Sequence, residues 1–225
     1  MYKGVYEGSH TSSLKKKILI LGESHYSKDE NNDFTTESVI NNYKKYFCNS
    51  KEYQKYQFFH KIAQSFNIDK DNTADEFSEF WDYVYFGNYI PDLCGIKDNR
   101  AKNHVKKEGN RKKYNNELFD FINNNDIDVV FVFSRLTYNN MPSLSKKHIK
   151  QENLKNADNG DIRIGRYRDY IKHCKYLANV EHPNVDVLLN RNIDVYGLRH
   201  PSAWGGYKIE NYSNVLGKLF EVLKN

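Results

Sequence analysis

Three short apolar runs constrain the fold of this chain more than any other feature of its sequence. They are residues 17–21 (KILIL), 128–134 (DVVFVFS) and 193–198 (IDVYGL), and each has the length of a strand rather than of a helix. Because apolar residues follow one another without alternation, both faces of these strands should be buried, as in a parallel sheet covered by helices. The stretch 80–90 is ambiguous, but apolar residues alternate along part of it, which favours an additional strand.

Helical patterns lie between and after these runs. We expect five helices, over residues 36–48 with Thr36 as the cap, and over residues 53–66, 117–125, 167–178 and 212–223. Strands that alternate with helices predict the α/β class, here a three-layer α/β/α sandwich with a central, mainly parallel four-stranded sheet. No linker divides the 225 residues, so we expect a single domain, with an insertion at about 136–166.

The composition favours a soluble cytoplasmic protein. Charged residues make up 28% of the chain, no apolar run approaches the length of a membrane span, and the N-terminus lacks the apolar region of a signal peptide. The three cysteines lie far apart without a C-x-x-C pair, which predicts reduced thiols and no metal cluster: Cys48, Cys94 and Cys174. We expect a monomer that needs neither a metal nor a cofactor.

Polar side chains follow the carboxyl ends of the predicted strands. The loop 22-GESHY-26 follows the first strand, Asn88 follows the ambiguous one, and 199-RHPSAWGGY-207 follows the last. In such sheets ligands bind at the carboxyl ends of the strands, near a switch in strand order. We therefore expect one shared rim, although each loop alone is also explained as a simple turn or helix cap. Its members would be Glu23, Ser24, His25, Tyr26, Asn88 and His200.

The stretches 22-GESHY-26, 84-VYFGN-88 and 200-HPS-202 resemble, in this order, the motifs of the uracil-DNA glycosylase superfamily. That family has a Gly-x-Asp-Pro-Tyr or Gly-Glu-x-Pro-Gly loop after a strand near its N-terminus, a later strand ending in Asn, and a His-Pro-Ser loop after its last strand. Here Ser24 stands where the best-known branch has its water-activating Asp, His25 replaces the Pro, and the iron–sulfur cysteines have no counterpart. The resemblance implies a divergent member whose substrate is not assumed to be uracil.

The resemblance also implies an activity, the hydrolysis of the N-glycosidic bond of a flipped-out base in DNA, which leaves an abasic site. Glu23 would stabilise the positive charge on the sugar, His200 would donate to the departing base, and His25 would serve proton transfer or base contact. The base would be held by Ser24, Tyr26, Phe34 and Asn88. The DNA strand would be contacted by Arg199, Ser202, Trp204 and Tyr207.

Basic residues cluster in two zones, within a formal net charge of +5. The first spans residues 97–113 and supplies the candidate DNA contacts Lys106, Lys107 and Arg111, although such a run is as often a solvated helix face. The second lies in and beside the insertion at about 136–166, which would enlarge the base pocket and suit a modified base in foreign (phage) DNA.

Two other functions stay open. An inactive DNA- or nucleotide-binding module on the same fold is supported by Ser24 at the Asp position. A different hydrolase is the second alternative, because Gly-Glu-x-His after a strand also resembles the erythromycin-esterase-like and haem-uptake families. A His-Pro-Ser loop after the last strand is not expected in those families.

Overall fold

The computed structural model of this protein describes residues 4–26, 35–46, 56–68, 74–94, 101–143, 161–163, 170–202 and 207–224. The strands are β1 (Tyr6–Glu7), β2 (Ile18–Gly22), β3 (His25–Tyr26), β4 (Tyr85–Asn88), β5 (Leu93–Cys94), β6 (Val129–Val132), β7 (Asp161–Arg163), β8 (Tyr170–Tyr176) and β9 (Ile193–Gly197). The helices are α1 (Thr36–Tyr46), α2 (Gln57–Ser65), α3 (Ala74–Asp82), α4 (Ala101–Lys106), α5 (Asn110–Asn124), α6 (Arg135–Asn140) and α7 (Ile209–Lys224).

Within the described residues, the main sheet has seven strands in the order β1-β4-β2-β6-β9-β8-β7. Its centre, β4-β2-β6-β9, is parallel, and these are the four strands that the sequence indicates. The α/β class and the mainly parallel sheet are therefore confirmed. The predicted strand number is wrong, because β1 pairs antiparallel with β4 at one edge and the β7–β8 hairpin pairs antiparallel with β9 at the other.

The order of the parallel strands creates a switch point. Along the chain β2 precedes β4, β6 and β9, but in the sheet β4 lies on one side of β2 while β6 and β9 lie on the other. The winding of the chain thus reverses between β2 and β6. At such a reversal the loops leaving neighbouring strands diverge and open a crevice at the carboxyl ends, where open α/β sheets bind ligands.

Two apolar cores confirm the three-layer arrangement. One side of the sheet, which includes Ile18 and Ile20 of β2, packs against α1, α2, α3 and α7. The other side, which includes Leu19 and Leu21, packs against α4 and α5. All four of these β2 side chains are at most 1% exposed. Successive residues of a strand point to opposite faces, so the unbroken apolar run of β2 fills both cores at once.

The helix predictions are correct in part. Residues 117–124 belong to the longer α5, with Asn125 as its C-cap, and 212–223 lies within α7. At the start of α1 the cap is Thr35 rather than Thr36, because Thr35 and Ser38 bond each other's backbone N–H through their hydroxyls. The predicted end of this helix at Cys48 lies outside the described residues.

The predicted helix over 167–178 is wrong, because Tyr170–Tyr176 form strand β8. Ile171 is buried in one core and Tyr176 in the other, which a strand between two helical layers allows. Pairing with β9 satisfies the backbone groups of β8, so tertiary contact outweighs local propensity here. In the predicted insertion at 136–166, the described residues form most of α6 and the strand β7, which extends the sheet.

None of the helices in the described ranges has the length and apolar character that crossing a membrane requires.

Candidate functional site

A cleft of about 520 Å³ lies on the α1–α2 side of the sheet, at the carboxyl ends of β2 and β4. It brings together side chains from the loop after β2, from the end of β4 and from the loop after β9, although these segments are far apart in the sequence. Its polar members are Glu23, Ser24, His25, Tyr26, Asn42, Asn88, His200 and Ser202. The structure therefore places all six residues of the predicted rim in one cleft.

Gly22 allows Asn88 to occupy the floor of this cleft. The two residues face each other across the β2–β4 pair, and Asn88 is only 6% exposed. A Cβ atom on Gly22 would lie 2.4 Å from Asn88 Oδ1, closer than two such atoms can approach. The neighbouring strand therefore requires a residue without a side chain at position 22. Asn88 can present both a donor and an acceptor to a ligand.

Glu23 is held in a fixed orientation by two hydroxyl groups. Tyr26 Oη donates to Glu23 Oε1 at 2.5 Å, and Ser134 Oγ donates to Glu23 Oε2 at 2.6 Å. The backbone of Glu23 is anchored as well, since its carbonyl accepts from Ile90 N at 3.0 Å. Hydrogen bonds to both oxygens restrict the rotation of the carboxylate. The result is an oriented negative charge at the edge of the cleft.

Ser134 is a site residue that the sequence reasoning missed. It follows β6, caps α6 by accepting a hydrogen bond from Thr137 N, and donates its own proton to Glu23. The signal was present, because the predicted strand 128–134 ends in this serine. Since carboxyl ends of parallel strands share one edge of the sheet, Ser134 could have been grouped with Glu23 and Asn88.

His200 presents a neutral imidazole to the cleft. Its Nδ1 accepts from Ser202 N at 3.1 Å, which leaves the proton of the neutral ring on Nε2. Burial lowers the pKa of His200 below its ordinary value and Lys61 lowers it further, while the charge of Glu23 acts in the opposite direction. The ring also packs against Phe58 with 5.0 Å between centroids. His200 Nε2 can therefore act as a hydrogen-bond donor near neutral pH.

The two residues after Ser24 have different surroundings. His25 shares a hydrogen bond of 2.9 Å between its Nε2 and Thr36 Oγ1, and burial lowers its pKa. Tyr26 is 46% exposed, and burial of its phenol together with the hydrogen bond to Glu23 raises its pKa. Tyr26 thus stays protonated and remains a donor to Glu23, while His25 is tied to the start of α1.

An apolar wall completes the cleft, and the sequence reasoning did not anticipate it. Its residues come from α1, from α2 and the residue before it, and from β4. It consists of Val39, Tyr56, Phe58, Phe59 and Phe86. Phe59 and Phe86 pack with 5.2 Å between ring centroids, so the wall is continuous with the core. Such a surface suits a flat, partly apolar ligand. Phe34, predicted to stack on a base, lies outside the described residues.

The predicted DNA-contacting residues are dispersed. Ser202 lines the cleft, Arg199 does not, and Trp204 lies outside the described residues. The predicted contact between Tyr207 and DNA is not compatible with the position of this side chain. This tyrosine is 9% exposed, its hydroxyl bonds Ser65 Oγ at 2.8 Å, and its ring stacks on Tyr212. It belongs to the core beneath α7.

The basic zone at 97–113 lies away from this cleft. Its described part forms α4 and the start of α5, which pack on the opposite layer of the sheet. Lys106 and Lys107 are exposed there. Arg111 donates from Nε to the carbonyl of Asn140 at 2.9 Å, so it caps the end of α6. None of these three side chains lines the cleft.

The fold and the cleft together define an α/β/α domain with a polar cleft at the carboxyl ends of its parallel strands, beside the switch point between β2 and β6. No family model matches this chain, and comparison with curated proteins found no match either. The relationship to the uracil-DNA glycosylase superfamily therefore stays a prediction that rests on the three motifs.

Proposed function

We propose that this protein is a DNA glycosylase, which hydrolyses the N-glycosidic bond of a base flipped out of the DNA stack. The observation that carries the proposal is the convergence of Glu23, Asn88 and His200 on one cleft from three separate segments. These residue types supply a negative charge, a base-reading amide and a hydrogen-bond donor. Glycosidic bond cleavage uses all three, and they stand here in the order of the motifs that resemble the glycosylase superfamily.

Glu23 would act on the sugar side of the reaction. As the bond between C1′ and the base breaks, positive charge builds on the sugar ring, and a fixed carboxylate stabilises it. Because Tyr26 and Ser134 already orient the carboxylate, little reorganisation is needed when that charge develops. Glu23 would also orient the water whose oxygen bonds to C1′, and the proton that this water loses would neutralise the departing base.

His200 and Asn88 would act on the base side. The departing base gains negative charge, which the Nε2–H of a neutral His200 stabilises by donating a hydrogen bond. Asn88, at the end of β4, would pair with the hydrogen-bonding edge of the base. The aromatic wall that includes Phe58 and Phe86 would cover the faces of the ring.

The volume of the cleft bears on the kind of base. About 520 Å³ lies within the range of sites that hold drug-sized molecules, which exceed a nucleobase in size. The cleft therefore has room for a substituent on the base, and we propose a modified base in foreign (phage) DNA as the substrate class. Ready release of unmodified uracil, with bulky modified bases left intact, would exclude this class.

The test is to look for abasic sites. The purified protein is incubated with uracil-containing DNA and with heavily modified phage DNA, and alkali then breaks the strand wherever a base has been lost. We expect breaks with the unaltered protein and none with Glu23→Gln. Glu181→Gln, a change of the same kind at an exposed residue outside the cleft, should leave the breaks unchanged.

The same experiment separates the alternatives. DNA binding without strand breaks would support the inactive binding module instead. The unrelated Gly-Glu-x-His hydrolase has less support, because a His-Pro-Ser loop after the last strand is not expected in the families that this alternative resembles.

A further inference from the structure

We propose that Lys61 binds a phosphate group of the DNA strand at the rim of the cleft, beside the loop 200–202. This site deepens the proposed function, since it names the group by which the strand is held while a base occupies the cleft. Lys61 lies in α2 and does not belong to any motif that the sequence singles out.

The position of the ammonium group is the first observation. Lys61 Nζ donates to the carbonyl of Pro201 at 3.3 Å. Pro201 stands between His200 and Ser202, and both of these neighbours line the cleft. Lys61 itself is half-buried and outside the lining. Its charge is therefore fixed next to the mouth of the cleft rather than inside it.

The second observation is that this charge has no ionic partner in the part of the chain that the structure describes. Among the described residues, no carboxylate lies within 4.0 Å of Lys61 Nζ, whereas Lys44 pairs with Asp82 and Lys112 with Asp186. The effect of Lys61 on the pKa of His200 shows that its field reaches the site. A half-buried cation without a counter-charge is poorly compensated, so an anion beside it is stabilised.

The shape of the substrate places a phosphate at this point. When a base enters the cleft, its sugar lies at the mouth and the two flanking phosphates stay outside, at the rim. There Ser202 offers its exposed hydroxyl, since its backbone N–H is already bonded to His200. A lysine serves such a group as a point charge. Lys106 and Lys107, by contrast, lie on the opposite layer.

The experiment measures binding of a fluorescein-labelled single-stranded oligonucleotide by fluorescence anisotropy over a series of salt concentrations. Each phosphate contact contributes about 0.7 to the slope of log affinity against log salt for single strands. We expect Lys61→Gln to lower this slope by about 0.7 and to weaken binding several-fold at low salt. Lys218→Gln, at an exposed lysine of α7 outside the cleft, should change neither quantity. Lys61→Arg should retain most of the slope because it retains the charge.

An unchanged slope in Lys61→Gln would overturn the proposal, most directly if a Lys106→Gln/Lys107→Gln variant lowers the slope instead. Binding does not depend on base release, so this result is separable from the proposed function. A protein that binds through Lys61 yet leaves no abasic sites would retain the phosphate site and lose the glycosylase activity. If the unaltered protein makes abasic sites and the salt slope of Lys61→Gln is unchanged, the glycosylase activity is retained and the phosphate site at Lys61 is lost.

Discussion

Ser134 Oγ lies 2.6 Å from Glu23 Oε2, and this hydrogen bond joins the carboxyl ends of the two strands between which the sheet reverses its winding. Ser134 also caps α6, so one hydroxyl group links a helix terminus to the carboxylate of the cleft. The orientation of Glu23 therefore depends on how β2, β6 and α6 pack together.

Ser134→Ala removes both interactions of this hydroxyl. Loss of the helix cap should lower the free energy of unfolding by about 1 kcal/mol, measured by urea denaturation. Loss of the donor to Glu23 should slow base release about tenfold or more, since hydrogen bonds to charged groups contribute roughly 1.5–3 kcal/mol. Ser134→Thr retains the hydroxyl and should recover much of the rate. A Ser134→Ala protein with unaltered base release would show that Glu23 does not need this contact.

Tyr26→Phe removes the second donor to Glu23 and keeps the aromatic ring in the cleft. Because Tyr26 is 46% exposed, water can replace part of the lost interaction, and we expect a decrease of about tenfold in base release. The free energy of unfolding should change little, since Glu23, which accepts from this hydroxyl, belongs to the same loop. Tyr83→Phe, which removes a hydroxyl bonded to Glu79 in α3, is the matched control and should leave base release unchanged.

Gly22→Ala should displace Asn88, because the added Cβ would lie 2.4 Å from Asn88 Oδ1 and 3.2 Å from Phe86 Cζ. We expect the free energy of unfolding to fall by about 1–3 kcal/mol, as for other overpacked cores. In an Asn88→Ala background the closest clash is gone, so the same change should cost less. A double-mutant cycle measures this difference. If the losses in free energy of unfolding of the two single variants add up to that of the double variant, the proposed steric coupling is contradicted.

His60 should make the stability depend on pH. Burial beside Phe77 lowers the pKa of His60 to about 4, whereas in the unfolded chain the value is near 6.5. The unfolded state therefore binds more protons between pH 6.5 and 4, and stability is lost as the pH falls through this window. We expect a loss of about 2 kcal/mol between pH 7 and pH 5 from this residue.

Urea denaturation at the two pH values measures the effect of His60. His60→Phe should reduce the difference between pH 7 and pH 5, while substitution of the exposed His10 by Gln should not. Equal pH dependence in the His60→Phe variant and the unaltered protein would contradict the assignment. Burial also lowers the pKa values of His25 and His200, so some dependence of the same sign should remain.

The parallel centre of the sheet could be predicted from the sequence because burial of both faces of a strand requires apolar residues at consecutive positions. Short unbroken apolar runs such as 17–21 and 128–134 are typical of strands that helices cover on both sides. The polar residues at the ends of these strands are visible in the same way, since they are adjacent in sequence to the runs. Glu23, Asn88 and His200 could thus be expected at one edge of the sheet from the sequence alone.

Other features depend on partners that are distant in the chain. The pattern over 167–178 is compatible with a helix, and only pairing with β9 makes β8 a strand. Tyr207 follows a loop of polar character, but packing on Tyr212 buries it.

The sequence by itself therefore determined the class of the fold and which segments meet at its functional edge. Only the tertiary structure decided that Ser134 orients Glu23 and that Lys61 lies beside Pro201. The physical reason is the separation of the interacting residues along the chain. The periodicity of apolar residues reports only which side chains of one helix or strand are buried. A hydrogen bond between residues 111 or 140 positions apart depends on how the packed elements are placed.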